Sequence, residues 1–360
     1  MLQALCVYNH QVMDIVVEKK KMFLLVIQTK DSQSQVIVGE SYANLPQYLP
    51  AGRQVIVITD ANIMKYYGDF FRKWSVIEIG MGEKNKSLDT LAYVYERLLE
   101  LGADRNSFVV AAGGGIVCDV AGFAASTFMR GVPFGFVSTS LLSQVDASVG
   151  GKNGVNFGGY KNMIGTFNQP HFVLCDTEML QTLPEREFIS GFAEIVKAAA
   201  IRDAALFGYL EQNAAKAVTR DPEVILHLVV ESVKIKANVV EHDEREHGER
   251  RILNFGHTFG HAVEALAGIS HGEAVSIGMM IAARQSIAEC GFPKDQLDRL
   301  KRLLVQLGLP VTTDVAPEAI LRTMLKDKKR ESDAIHLVLL SEIGKAIIRK
   351  TPIKELRIRN

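Results

Sequence analysis

The sequence predicts two domains, an α/β domain on a mostly parallel sheet followed by a mainly α-helical one, and three observations carry that expectation. The first is length: 360 residues exceed the roughly 100–200 residues of one ordinary domain. The second is alternation. From Ser34 to residue 184, short β-rich runs alternate with a helical pattern, as in a parallel sheet covered by helices. The third is a change of character after that, where helical patterns follow one another almost without interruption.

In chain order, QVIV (35–38), QVIVITD (54–60), WSVIEIG (74–80) and FVVAAGGG (108–115) read as strands bounded by Gly, Asp or Asn. Between them SLDTLAYVYERLLELG (87–102) carries apolar residues at helical spacing, with Gly102 as its stop. The stretch 138–170 reads as a long ordered loop. EREFISGFAEIVKAAAI (185–201), DAALFGYLEQNAAKAV (203–218), PEVILHLVVESVKIKANVV (222–240) and GEAVSIGMMIAARQSIAECG (272–291) are helical patterns, and AIHLVLL (334–340) returns to a strand. Residues 1–33 fit neither pattern, and KDSQSQ (30–35) reads as a polar link. The expected division is therefore an extension over 1–33, an α/β domain over 34–184 and a helical domain over 185–360.

Composition excludes several classes. Lys and Arg number 41 against 41 Asp and Glu, whereas a polyanion binder carries a basic excess, so no nucleic-acid partner is expected. Cys6, Cys118, Cys175 and Cys290 are scattered without CxxC pairs, which fits a reducing, cytoplasmic setting. No apolar run reaches the roughly 18–20 residues of a bilayer span. The start MLQALCVYNHQVMD lacks a basic segment followed by a long apolar one, so neither membrane nor signal peptide is expected.

Four stretches could carry chemistry. AAGGGIVCDVAGFAAS (111–126) runs from a strand through three glycines into a helix; glycines admit a ligand close to the backbone, and helix N–H groups favour phosphate oxygens. It lacks the GxGxxG fingerprint, and a bare strand–helix turn is the competing reading. In VITDANI (57–63), Asp60 and Asn62 could hold ribose hydroxyls or merely form an Asx turn. The stretch 138–170 places Lys152 and Lys161 as cations and Asp146 and Asn162 as hydroxyl partners, unless both lysines are solvated surface charges. Finally, His257 and His261 lie four apart on one helix face, His271 opens the next helix, and Glu194 lies on an earlier one with Lys197 nearby. Spacing alone names His257 and His261 as the adjacent pair; imidazoles with a carboxylate suit Zn²⁺ or a similar borderline ion. Arg250, Asn254, His257 and His261 recur at spacings of four, three and four, which predicts one polar stripe on a helix, with Lys236 and Glu246 brought up to it.

With GGGIVCDVAGFAAS, SQVDASVGGKNGVN, YKNMIGTFNQP, TLPEREFISGFAEIVK, DEREHGERRILNFGHTFGHAVE, HGEAVSIGM and LKDKK (325–329) in order, the chain from Val36 onward resembles the 3-dehydroquinate synthases, a family of sugar-phosphate cyclases. The resemblance implies a Rossmann-like NAD-binding α/β domain and a helical metal- and substrate-binding domain, in a homodimer. It implies Glu194, His257 and His271 as ligands of Zn²⁺ or Co²⁺, with His261 turned to substrate instead. NAD would be held by Asp60, Asn62, Glu83, Lys86, Gly114, Gly115, Asp119, Thr139, Ser140, Lys152, Lys161 and Thr182. Substrate contacts would come from Asp146, Lys152, Asn162, Lys197, Lys236, Arg250 and Asn254, with Arg130 reaching a neighbouring subunit's phosphate site and Lys328 closing over the site. The implied reaction is transient oxidation by NAD, phosphate elimination, re-reduction and an intramolecular aldol step on a seven-carbon keto-acid phosphate, in aromatic amino acid biosynthesis by the shikimate pathway. Cys118 stands where the family usually has Gly, Ser138 where it has Pro, and Ser140 where it has Thr. A sister cyclase of the 2-deoxy-scyllo-inosose or valiolone type, a metal-dependent polyol dehydrogenase and a catalytically silent NAD-binding protein are the remaining readings.

Overall fold

The computed structural model describes residues 13–17, 20–29, 32–328, 334–352, 356 and 358. Its residues form two compact units: one runs to Thr139 and takes up Ala147–Thr182, and the other joins Ser140–Asp146 to the chain from Leu183 onward. A contiguous division at 184 does not contain that exchanged segment.

In the first unit the strands are β1 (Met13–Val17), β2 (Lys20–Gln28), β3 (Gln33–Val38), β4 (Val55–Asp60), β5 (Ser75–Ile79), β6 (Phe108–Gly113), β7 (Phe134–Ser138), β8 (Lys152–Phe157), β9 (Tyr160–Phe167) and β10 (Phe172–Cys175). Eight of them make one sheet in the order β1-β2-β3-β10-β7-β6-β4-β5. From β3 to β5 every pairing is parallel, and only β1 and β2 are antiparallel. All six residues of β6 are buried, as are the first five of β4. That is why these strands read as unbroken apolar runs and not as alternation. The helices α1 (Ala61–Phe71), α2 (Leu88–Glu100) and α3 (Gly115–Thr127) follow β4, β5 and β6 in turn.

Three expectations need correction here. The residues before 34 include β1 and β2, which extend the sheet; Met22, Leu25 and Ile27 of β2 are buried. Of the polar link, residues 33–35 belong to β3 and Thr29 N–H donates to the Ser32 carbonyl at 2.9 Å, while 30 and 31 lie outside the described residues. Within 138–170 the chain forms a separate two-stranded hairpin, β8 with β9, not a loop.

The second unit holds α4 (Glu185–Arg202), α5 (Ala204–Val218), α6 (Pro222–His242), α7 (His257–Ala267), α8 (His271–Cys290), α9 (Lys294–Gln306), α10 (Pro317–Lys328) and a hairpin of β11 (Ala334–Glu342) with β12 (Lys345–Pro352). The strand expected at 334–340 is present, and β12 joins it. Helices α7 and α8 pack at backbone contact: a Cβ at Gly278 would collide with the Gly256 carbonyl, and one at Gly272 with Ser190 of α4. Glycine alone permits that approach, which brings the starts of α7 and α8 to α4.

Candidate metal and substrate site

The starts of α7 and α8 are sharply set. Gly256, with φ 82°, turns the chain immediately before His257. Ser270 and Glu273 form a reciprocal capping box around His271. Glu194, buried in the middle of α4 at 2% exposure, meets both. Its Oε1 lies 3.4 Å from His257 Nε2 and 3.3 Å from His271 Nε2, and one ligand atom from each residue lies within 4.8 Å of the others. The opposite ring nitrogens are also engaged: His257 Nδ1 is 3.4 Å from the Phe255 carbonyl, and His271 Nδ1 is 3.5 Å from Glu264 Oε2. Such outer contacts fix ring orientation and aim Nε2 inward. Two imidazoles and a carboxylate, converging this closely, fit Zn²⁺ or Co²⁺.

Burial pushes the His257 imidazole down to about 3 against the pull of Glu194, so it is neutral and able to donate a lone pair. His271 goes the other way, to about 9: burial lowers it, but the Glu194 and Glu264 carboxylates outweigh that. A metal arriving there displaces a proton. Glu194 itself is held well below the carboxylate range, since Lys197, His257 and His271 overcome its burial. His261 is exposed, its ring centroid 5.4 Å from that of His257 and 6.1 Å from that of His271. The adjacent pair named by spacing is thereby corrected in favour of Glu194, His257 and His271.

Beside the metal ligands lies a cluster of buried charge. Lys197 forms an ion pair with Glu194 one turn back on α4, and its ammonium is 3.8 Å from Asp146 Oδ1. Lys236 of α6 binds the same Oδ1 at 2.6 Å and also donates to the Asp146 carbonyl. Asp146 reaches them from a one-turn π-helix, Ser143–Ala147, a local form often found at functional sites. Burial would raise its carboxyl, yet Lys197 and Lys236 hold it below the usual range. Lys197 is raised, since Asp146 and Glu194 outweigh the burial that would lower it. Lys236 is lowered to about 8 by burial, which Asp146 offsets only in part. Arg250, 2% exposed, donates through Nη1 to the Glu244 carbonyl, while Asn254 donates to Glu246. Lys197, Lys236 and Arg250 are thus buried cations gathered near the partly exposed Asp146 carboxylate, the kind of donors that pair with an anionic ligand.

The expected polar stripe is not one helix. Arg250 and Asn254 lie in a 3₁₀ segment, Glu249–Asn254, and Gly256 breaks the chain before α7. Asp243 organises the segment by accepting from the N–H groups of His247, Gly248 and Arg250 at 2.9, 2.7 and 3.0 Å.

In the first unit, Gly114 caps α3 without a side-chain bond, and a Cβ at Gly115 would come within 3.0 Å of Ala147 Cβ. A helix start without a side-chain cap fits the pyrophosphate of a dinucleotide. Asp60 caps α1 by accepting from Asn62 N–H and Ile63 N–H at 2.9 and 3.1 Å, the Asx-type geometry. Lys86 is buried and bridges Asp119 and Asn162. Glu83 accepts from Asn156 Nδ2 at 2.8 Å and lies 3.7 Å from Lys161 Nζ. Thr139 N–H bonds the Gly113 carbonyl at 3.0 Å, and Thr182 meets Tyr67 hydroxyl to hydroxyl at 2.9 Å. In the second unit Ser140 bonds Ser143 through the hydroxyls at 3.0 Å. Lys152 is exposed, and so is Arg130, whose φ is 74°. The Lys328 side chain lies outside the described residues.

Sequence reasoning missed Glu264, Asp243 and Asn156 as supports. Glu264 stands inside the quoted histidine motif, one helical turn from His261; Asn156 and Asp243 act through bonds that no spacing reveals.

Residues 76–190 match the 3-dehydroquinate synthase N-terminal family and residues 191–330 the corresponding C-terminal family. A 3-dehydroquinate synthase of Dehalococcoides mccartyi (strain CBDB1) is 42% identical over 329 residues, covering 88% of this chain and 91% of its own. Among solved structures, a 2-deoxy-scyllo-inosose synthase complexed with carbaglucose-6-phosphate, NAD⁺ and Co²⁺ superposes with a TM-score of 0.82 at 28% identity, covering 92% of this chain and 97% of the other. A 2-epi-5-epi-valiolone synthase from Streptomyces hygroscopicus subsp. jinggangensis 5008, with NAD⁺ and Zn²⁺ bound, gives 0.82 and 28% over 89% of this chain and 94% of the other. Among the described residues no helix is long and apolar enough to cross a membrane. With both halves matched and the donor set in place, the chain belongs to the 3-dehydroquinate synthase family.

Proposed function

We propose that the chain converts 3-deoxy-D-arabino-heptulosonate 7-phosphate to 3-dehydroquinate and phosphate, as a cytoplasmic homodimer dependent on NAD and one divalent metal. The observation that carries this reading is the meeting of the Glu194–His257–His271 donor set with the Lys197–Asp146–Lys236 charge cluster. The metal, when bound by those three ligands, supplies Lewis-acid polarisation of a substrate hydroxyl, and NAD in the first unit supplies a transient hydride acceptor.

The chain's own residues bind and orient. Lys197, Lys236 and Arg250 are buried cations, whose charge is felt more strongly there than at a surface. They neutralise the carboxylate and phosphate and hold the reacting carbons in register. Asp146 keeps both lysine ammonium groups in place, while Asn254 and His261 supply hydrogen-bonding groups beside them. Lys152, Lys161 and Asn162 contribute the remaining polar contacts. The carbon next to the oxidised one loses its proton and phosphate departs from the carbon beyond it, a β-elimination in which the departing phosphate itself takes up the proton. Because NAD is regenerated within the cycle, the net reaction is a lyase reaction.

The test is phosphate release from the heptulosonate phosphate, with and without NAD⁺, after chelation and after zinc repletion. The reading requires release that depends on both, without net NADH accumulation. Intact metal and NAD⁺ binding with no release would reassign the chain to a sister cyclase acting on heptulose 7-phosphates or glucose 6-phosphate. Stoichiometric NADH would reassign it to a dehydrogenase.

A further inference from the structure

Asn156 is not among the residues expected to hold cofactor or substrate, yet it makes three bonds to residues that are. Its N–H donates to the Lys86 carbonyl at 2.9 Å. Its side-chain oxygen accepts from Asn162 N–H at 2.9 Å, and its side-chain nitrogen donates to Glu83 Oε1 at 2.8 Å. The ring closes because Lys86 Nζ donates back to Asn162 Oδ1 while also pairing with Asp119. Asn162 has φ 52°, a left-handed conformation that asparagine adopts more readily than most other L residues. The Asn156 amide is what bonds that backbone.

We propose that Asn156 is a positioning residue that couples the NAD side of the first unit, through Glu83 and Lys86, to the substrate side, through Asn162; this rests on the site assignment made under the proposed function. An amide is suited to the task because it accepts at one atom and donates at the other. Occupation of the Glu83–Lys86 side then holds the β9 backbone at Asn162 in the conformation that meets substrate.

The experiment measures the dissociation constant of NAD⁺ with and without the heptulosonate phosphate, and KM and kcat, for wild type and two variants. Asn156→Ala removes both side-chain bonds. It is expected to raise KM and the NAD⁺ constant each by roughly 10-fold, the scale of a lost hydrogen bond or two, and to abolish their mutual dependence. Asn156→Asp keeps an acceptor for Asn162 N–H but sets a carboxylate against Glu83. It is expected to weaken NAD⁺ and leave KM near wild type. A purely structural role would lower the melting temperature of both variants without this split, and that result overturns the proposal. Asn162→Ala and Glu83→Gln separate the two levels. Wild-type KM in the first and wild-type NAD⁺ binding in the second would remove the site assignment itself. If both are impaired while Asn156→Ala is unaffected, only the coupling role falls.

Discussion

The residues proposed to hold metal and substrate in the second unit and those proposed to hold the nucleotide in the first are built in opposite ways. In the second unit Glu194, Lys197, Lys236 and Arg250 are all buried on helices or beside them, and each is held by an opposite charge or a backbone carbonyl. In the first unit Asp60, Asn62, Glu83, Lys152, Lys161 and Asn162 sit at strand ends, turns and a hairpin and are exposed or partly so, with buried Lys86 the exception. Buried charges are expensive to assemble but need little reorganisation when a charged ligand arrives. Exposed polar groups cost little and each contributes little. Substitutions in the two regions should therefore differ sharply in size.

The largest effect is expected at Glu194. Glu194→Ala removes the shared carboxylate of the metal site and strips Lys197 of its nearest partner, leaving Asp146 at 3.8 Å. Metal affinity should fall by more than about 100-fold, beyond what loss of an outer contact causes. Stability should fall by about 3–5 kcal/mol, the scale for breaking a buried pair. Metal content after gel filtration and a denaturant melt check both, and full occupancy with full activity would sink the ligand assignment.

Next comes the backbone contact beneath the ligands. Gly278→Ala gains about 1 kcal/mol of helix propensity but drives a methyl group into the Gly256 carbonyl. Overpacking costs about 1–3 kcal/mol, so the net change should be destabilising and should also weaken metal binding, since Gly256 sets the start of α7. A melt at wild-type temperature would break the account of how α7 and α8 are brought together.

These two positions also mark what the sequence does and does not disclose. The parallel strands β4, β5 and β6 and the helices α2 and α4 were legible from apolar runs and helical spacing, because burial on both sheet faces or on one helix stripe leaves a local pattern. Strand β2 was not, although buried Leu25 and Ile27 alternate with exposed Val26 and Gln28, because it joins β3 as an antiparallel hairpin outside the strand–helix alternation that marked the rest. At the site, spacing found His257 and reached His261 before His271. Ligand choice depends on which helix starts converge on α4, and Gly256, Gly272 and Gly278 decide that through contacts distant in sequence. The residue pattern had already gathered His271 and Glu194 as candidates; the resemblance to a known family preferred them over His261 as partners of His257, and the structure brings those three together.

A third effect is a pH dependence confined to the buried cluster. Lys236 is lowered to about 8, by burial first and by Lys197 as a second cation. Below that pH it is an ammonium and attracts anionic substrate; above it the charge is lost, so KM should rise with pH. Bound anion favours the charged form and moves the midpoint upward. Lys236→Arg keeps its charge at any working pH and should flatten the rise, although its fork cannot reproduce the contact to Asp146. A KM that stays level through pH 8 in wild type would remove Lys236 from substrate binding.

The smallest effect is expected at the surface of the first unit. Lys161 is 37% exposed and lies 3.7 Å from Glu83, itself 44% exposed. Lys161→Ala should change stability by less than about 0.5 kcal/mol and weaken NAD⁺ binding only a few-fold. Salt sharpens the contrast, because at about 0.15 M the screening length is about 8 Å and exposed charges are already damped. Raising ionic strength should erase the difference between Lys161→Ala and wild type, measured as the NAD⁺ dissociation constant. The same salt should leave the loss of substrate binding in Lys197→Ala nearly unchanged, since Lys197 is buried against Glu194 and Asp146. Equal salt sensitivity at both lysines would mean that water reaches Lys197 as freely as Lys161, and the division between a preorganised buried site and an adaptable exposed one would not hold.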